Sequence, residues 1–159
     1  MAPDLVILFA HSHLAHQRVS MSDVIWKKLL GRPVFPFERR GDFYLAWKPS
    51  GWRHARALIG EMRPLLQEKG ITLLVLVFPM GDQVDERHRT RDETYVLYPQ
   101  RQIRAICEDY GIPMRELTEA LYRQGGTRLF RDHLHLSPQG NEVVTNELEE
   151  YLVDTVDRQ

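Results

Sequence analysis

"ITLLVLVF", residues 71–78, carries no charge and does not alternate apolar with polar side chains. A strand with one wet face would show that alternation, so the run predicts a strand covered on both faces, as in a parallel sheet. "DLVILFA", residues 4–10, reads the same way and is rich in β-branched residues. Helical spacing fills the stretches around these runs. Ser22 is placed to cap a helix carrying Ile25, Trp26, Leu29 and Leu30, closed by Gly31. Ser50 is placed to cap a longer helix carrying Leu58, Ile59, Met62 and Leu65, closed by Gly70, with Pro64 kinking or restarting it. A third helix is predicted over residues 100–110, ending at Gly111. "IPMREL" predicts a short strand leading into a helix over residues 118–123, stopped by Gly125 and Gly126. The last helix begins at Ser137 with Pro138 in its first turn and buries Val143, Val144, Leu148, Tyr151 and Leu152. This order predicts an α/β fold, a three-layer α/β/α sandwich around a mostly parallel sheet.

Two segments stand outside that pattern. Residues 31–49 hold three prolines and five aromatic residues, which reads as irregular but adhesive chain. Residues 80–93 are almost wholly polar and read as a surface loop. In open α/β sheets ligands bind beyond the carboxyl ends of the strands, and both segments are placed to wall such a site.

Length and composition bound the function. A chain of 159 residues fits one domain, spanning 1–159, that buries roughly two thirds of its unfolded surface. A net charge of -1 gives no electrostatic case for a nucleic-acid or anionic-membrane partner. The longest apolar run, "ITLLVLVFPM", is far too short for a membrane span. The N-terminus lacks the basic flank of a signal peptide, so the default compartment is the cytoplasm. The single cysteine, Cys107, excludes an internal disulfide and falls at core spacing with Ile103, Ile106 and Tyr110. There is no Gly-rich phosphate loop and no strong metal spacing, so no cofactor is expected. The first strand begins so early that its outer edge lacks a predicted neighbour, which calls for a second chain, a homo-oligomer or further sequence upstream.

The densest chemistry lies in "LFRDHLHLSPQGNEVV", residues 129–144. Asp132 and His135 sit three apart in a loop just before a helix start. A carboxylate at that spacing can hydrogen-bond one imidazole nitrogen, which fixes the tautomer and leaves the other nitrogen free as a base. His133 alternates away from the pair and reads as solvent-facing.

"DHLHLSPQG" resembles the last conserved block of the SGNH/GDSL hydrolases, with Asp132, His135, Leu136, Ser137 and Gly140 matching and Leu129–Phe130 as the lead-in. "GITLLVLVFPM" looks like that family's strand ending in proline, and "PDLVIL" like the strand that delivers its Gly-x-Asn-Asp block. The resemblance implies a flavodoxin-like sandwich that hydrolyses carboxylic esters, including acylated carbohydrates, through a Ser-His-Asp triad and without a cofactor. His135 would be the general base and Asp132 its orienting carboxylate. The family's Gly-Asp-Ser nucleophile block has no match; "RGDFYLAW" continues with Phe43 instead. The resemblance therefore implies the carboxyl-terminal portion of such a domain, lacking the first strand or strands.

Three readings of "AHSHL", residues 10–14, stay open. His13 falls where the family has its oxyanion-donating Asn, and an imidazole can donate to an oxyanion. Ser12 sits where a nucleophile elbow would place its serine, although Ala10 and Leu14 replace the elbow's glycines. Alternatively His11, His13 and His16, with Asp132 and His135, would ligate a metal. A catalytically inactive scaffold that only binds is the remaining alternative for the whole chain. Arg39, Arg40, Arg53 and Arg56 are candidates for an anionic substrate, and Trp47 and Trp52 for a pocket mouth, against plain surface and packing roles.

Overall fold

The computed structural model describes residues 5–10, 21–35, 37 and 44–156. Three parallel strands form the sheet: β1 (Leu5–Ala10), β2 (Thr72–Val77) and β3 (Met114–Glu116), in the order β1-β2-β3. β1 and β2 run in register from Leu5 opposite Thr72 to Ala10 opposite Val77, so both strands reach their carboxyl ends at the same edge. β3 pairs with the second half of β2, from Val75 opposite Met114 to Val77 opposite Glu116. Among the described residues there are six α-helices: α1 (Met21–Leu29), α2 (Pro49–Glu68), α3 (Glu86–Val96), α4 (Tyr98–Tyr110), α5 (Thr118–Gln124) and α6 (Pro138–Val156). The fold is mixed α/β and mostly helical.

β2 is the strand its composition predicts. Leu73, Leu74, Val75, Leu76 and Val77 are all buried, on both faces of the pleat. Leu73, Val75 and Val77 join Ile59 of α2 and Ile103, Ile106 and Cys107 of α4 in one cluster. Met114 packs on that cluster, and its neighbour Glu116 forms an ion pair with Arg104 of α4. The alternate position, Arg115, stands opposite Leu76 and pairs instead with Glu147 of α6. Cys107 is buried, and burial pushes its thiol up to about 11, which suits a core residue and not a nucleophile.

Helix boundaries follow local chemistry, with corrections. α2 starts at Pro49 after an extended Lys48, so Ser50 lies inside the helix and is not its cap. A proline at the first turn needs no partner for the N–H it lacks, which favours this start. Pro64 does not end the helix, which continues to Glu68. The stripe that α2 packs on the core is Trp52, Ala55, Ile59, Met62 and Leu66, whereas Leu58 and Leu65 are exposed. α1 forms as the spacing predicts, but Ile25, Trp26, Leu29 and Leu30 are all more than half exposed. α4 ends at Gly111 in the left-handed conformation, φ 59°, which a side chain would disfavour.

The polar segment 80–93 is not a surface loop. A 3-10 turn over Gly81–Val84 and the whole of α3 replace it, and Met80 to Asp85 are buried. The reason is polar pairing inside the fold. Gln83, 1% exposed, accepts from the Met80 N–H (2.9 Å) and donates to the Val96 carbonyl (3.1 Å) and to Gln100 Oε1 (2.7 Å). Buried amides cost little when every group is matched. α3 itself breaks at Asp92, whose carboxylate caps the restarting turn by accepting from the Tyr95 N–H at 2.9 Å.

In the irregular segment 31–49, Phe35, Phe37 and Trp47 pack together. Phe35 and Phe37 are buried and stack on each other, and Phe37 stacks on Trp47. Trp47 donates to the Tyr95 carbonyl (2.8 Å) and Trp52 to the Ala46 carbonyl (2.7 Å), so both tryptophans serve packing rather than a pocket mouth. Ile106, 1% exposed at the centre of the α4–β2 contact, tests this core. Ile106→Ala should lower unfolding stability by about 2–5 kcal/mol, read from urea titration midpoints at unchanged slope.

Candidate functional site

The Asp132–His135 loop is built by backbone constraints on either side of it. Phe130 and Leu136 form an antiparallel bridge, the Arg131 N–H donates to the His135 carbonyl at 2.7 Å, and the Ser137 N–H donates to the Leu129 carbonyl at 2.8 Å. The chain reverses within five residues. Ser137 then caps α6 through its hydroxyl, which accepts from the Gly140 N–H at 3.1 Å, with Pro138 as the first helical residue. Gly140 is required by packing: a Cβ there would overlap the Leu129 carbonyl oxygen and press on Leu136 Cδ2 at 3.0 Å.

The tertiary fold places this loop. β2 leaves the sheet at Val77, and four residues later the Gly81 N–H donates to the His133 carbonyl at 3.0 Å. The loop therefore lies beyond the carboxyl edge of the sheet. Underneath, Leu129 joins Val84, Leu117, Leu121, Val143 and Val144 in a second apolar cluster, on which Phe130 and Leu136 pack. The loop is thus pinned from below by its two flanking apolar residues and from the side by Gly81.

Within it the two side chains meet. Asp132 Oδ2 lies 2.8 Å from His135 Nδ1, while Oδ1 accepts from the backbone N–H groups of His135 (2.8 Å) and Leu134 (2.7 Å). Those backbone bonds, the contact with the His135 ring and the nearby imidazole charge hold the Asp132 carboxyl well below the usual carboxylate range. An ionised Asp132 can only accept, so Nδ1 is the donor in this contact; in the neutral form of the ring that leaves Nε2 with a lone pair. The His135 side chain is 75% exposed, so its ring stands open at the surface.

Asp132 and His133 line a shallow cavity of about 150 Å3 together with Gly81, Asp82, Asp85 and Thr127. His133 is half-buried along this wall, which corrects its reading as a solvent-facing residue. Asp82 and His88 are residues that sequence reasoning missed. Asp82, in the turn after β2, is 8% exposed. The His88 ring nitrogen Nδ1 lies 3.1 Å from the Asp82 carbonyl and 3.7 Å from its Oδ1. Phe35 and Phe37 meet the His88 ring edge-on. No spacing signal marks these residues, because the polar run that contains them is buried only through contacts distant in sequence.

The other sequence candidates divide clearly. His11, Ser12, His13 and His16 lie outside the described residues, as do Arg39 and Arg40. Arg56 pairs with Asp109 at 2.5 Å on the surface. Among the described residues no group of three or more His, Cys, Asp or Glu side chains is arranged to hold a metal ion. Comparison with family models, curated proteins and solved structures finds no match.

Two outcomes follow from this geometry. Asp132 should titrate below the ordinary Asp range in a carbon-13 carboxyl experiment. Its depressed folded pKa means that its stabilising contribution is present above the unfolded carboxyl value and disappears only as pH falls toward the folded one. Gly140→Ala should destabilise the fold by roughly 1–3 kcal/mol through overpacking and shift the amide resonances of residues 129–137.

Proposed function

We infer that this chain is a serine-dependent hydrolase domain of SGNH/GDSL type acting on carboxylic esters. One observation carries the reading: an ionised carboxylate holds an imidazole by Nδ1, beyond the carboxyl edge of a parallel sheet, in the sequence context Asp-x-x-His-Leu-Ser-Pro-x-Gly. In this role His135 Nε2 takes the proton of a serine hydroxyl as it attacks the ester carbonyl and returns it to the leaving alkoxide. Asp132 orients the ring and stabilises the imidazolium formed in between. The open position of His135 suits a base that acts on a substrate lying across the surface.

The architecture proposed with it is the three-layer, flavodoxin-like α/β/α arrangement. The alternation at β3 supports it, since Glu116 turns to α4 and Arg115 to α6. The sequential order of three parallel strands is consistent with the later strands of such a sheet.

The nucleophile is the part of the triad to be located. Ser137 is unsuited, because its hydroxyl is buried and accepts the α6 cap bond. Ser12 is the candidate within this chain. β1 ends at Ala10, in register with Val77, so β1 and β2 end at the same sheet edge, and Ser12 follows β1 by two residues in the sequence. His13 would then donate to the oxyanion. A serine supplied by another polypeptide segment is the alternative source.

A second reading is a binding scaffold without turnover, favoured by the absence of elbow glycines around Ser12. A fluorophosphonate probe separates the two, since only an activated serine is labelled. Labelling at Ser12, abolished by His135→Ala, supports the hydrolase. His135→Ala should also lower ester turnover by roughly 10^3-fold or more with the fold intact. Turnover retained in that variant would refute the role of His135.

A further inference from the structure

A larger cavity of about 610 Å3 opens beside the dyad and has no part in the chemistry above. Asp85 and Thr127 belong to the walls of both cavities, so the larger space adjoins the one lined by Asp132. Its size falls in the range of roughly 300–1,000 Å3 typical of small-molecule sites. The wall is formed by the start of α3, the end of α5 and the turn that follows it.

Three arginines line this space, Arg87, Arg123 and Arg128, together with Asp85 and Glu86. The carboxylate of Asp85 is committed to Arg87: Oδ1 accepts from the Arg87 N–H (2.9 Å) and Nε (3.1 Å), and Oδ2 from Nη2 (2.6 Å). That pair neutralises itself. Arg123 is held loosely, its Nε 3.9 Å from Glu119 Oε2, because Glu119 is engaged at 2.5 Å by Arg89. Among the described residues Arg128 makes only a long bond of 3.4 Å from Nε to the neutral Gly125 carbonyl. Behind the wall residue Tyr122 lies a fourth cation, the buried Arg89, 4.0 Å from the ring centroid and with Nη1 lacking a hydrogen-bond partner.

The balance of charge offered to a ligand is therefore positive, from Arg123 and Arg128. Planar guanidinium groups match oxyanions in two-pronged geometry. Thr127 and Glu86 add acceptors for hydroxyl groups, and Tyr122 adds an aromatic surface. The turn is shaped for this space: Gly126 sits at φ 59°, and a Cβ there would come within 3.1 Å of the Val84 carbonyl.

We propose that the cavity bounded by Arg123, Arg128, Tyr122 and Thr127 binds a small molecule bearing an oxyanion, its charged group held by the two arginines. Resting on the hydrolase reading above, it places the charged end of an ester substrate in the large cavity, which adjoins the small one lined by Asp132. The oxyanion is a carboxylate or a phosphate, and the guanidinium chemistry is common to both.

Titration calorimetry on the full chain tests this with glucuronate, glucose 6-phosphate and glucose, which share a pyranose ring and differ in charge. Glucuronate, glucose 6-phosphate or both should bind at millimolar concentration and glucose should not, and which one binds assigns the oxyanion. The double variant Arg123→Gln/Arg128→Gln, altered only at exposed side chains, should weaken binding by roughly tenfold or more. His135→Ala should leave it unchanged. Equal binding of glucose, no binding of either charged sugar, or unchanged affinity in the double variant would overturn the proposal. Because His135→Ala removes turnover but not this cavity, charged-sugar binding without ester hydrolysis would leave the site standing and the hydrolase reading refuted. Hydrolysis of a neutral ester without charged-sugar binding would do the reverse.

Discussion

The Leu129 carbonyl oxygen is the point around which the candidate site is organised. It accepts from the Ser137 N–H, and it lies so close to Gly140 that no side chain fits there. These two contacts bring the start of α6 against the strand-like residues that precede the dyad. Between Leu129 and Ser137 only seven residues remain to turn the chain, and Asp132 closes that turn by accepting two backbone N–H groups. The carboxylate is therefore oriented before it meets the imidazole. Its remaining oxygen is directed at His135 Nδ1 by the turn and needs no further support from the fold.

Such a loop is self-contained as chemistry but not as a site. Its location depends on Gly81, which follows β2 and fixes the His133 carbonyl beyond the sheet edge. Gly81 in turn depends on Met80 and Gln83, whose buried hydrogen bonds tie the turn to Val96 and Gln100. A chain of matched polar contacts thus runs from the helical layer to the dyad. This explains why a segment of polar residues is buried. Asp85, which follows the same turn, belongs with Thr127 to the wall that the small cavity shares with the arginine-lined one.

Charge is distributed unevenly along this edge. Carboxylates line the cavity next to the dyad, whereas arginines line the adjoining one. Because Asp85 and Arg87 neutralise each other at the boundary, the two regions meet through a pair of no net charge. A ligand spanning both would meet cations at one end and the dyad at the other. Exposure of the His135 ring leaves the chemistry of that end to be completed by whatever lies across it.

Much of the fold was legible in the sequence because the strongest signals are local. The unbroken apolar run of β2, the glycine closing α4 and the Ser-Pro start of α6 each act within a few residues, and each element is where they place it. The meeting of Asp132 and His135 was legible for the same reason: a tight turn fixes a three-residue separation without help from distant chain. What failed was inference from composition. Residues 80–93 read as surface because polar side chains are usually solvated, yet Gln83 and His88 find partners inside the fold. Leu58 and Leu65 of α2, and the apolar face of α1, read as core and are exposed. Alone, then, the sequence determined the parallel strands, most helix limits and the dyad loop, since backbone geometry and short-range hydrogen bonds settle those. Only the tertiary structure decided which polar residues are buried, which face of α2 packs and which arginines share a cavity. Those outcomes depend on contacts between residues far apart in the chain, and no local pattern encodes them.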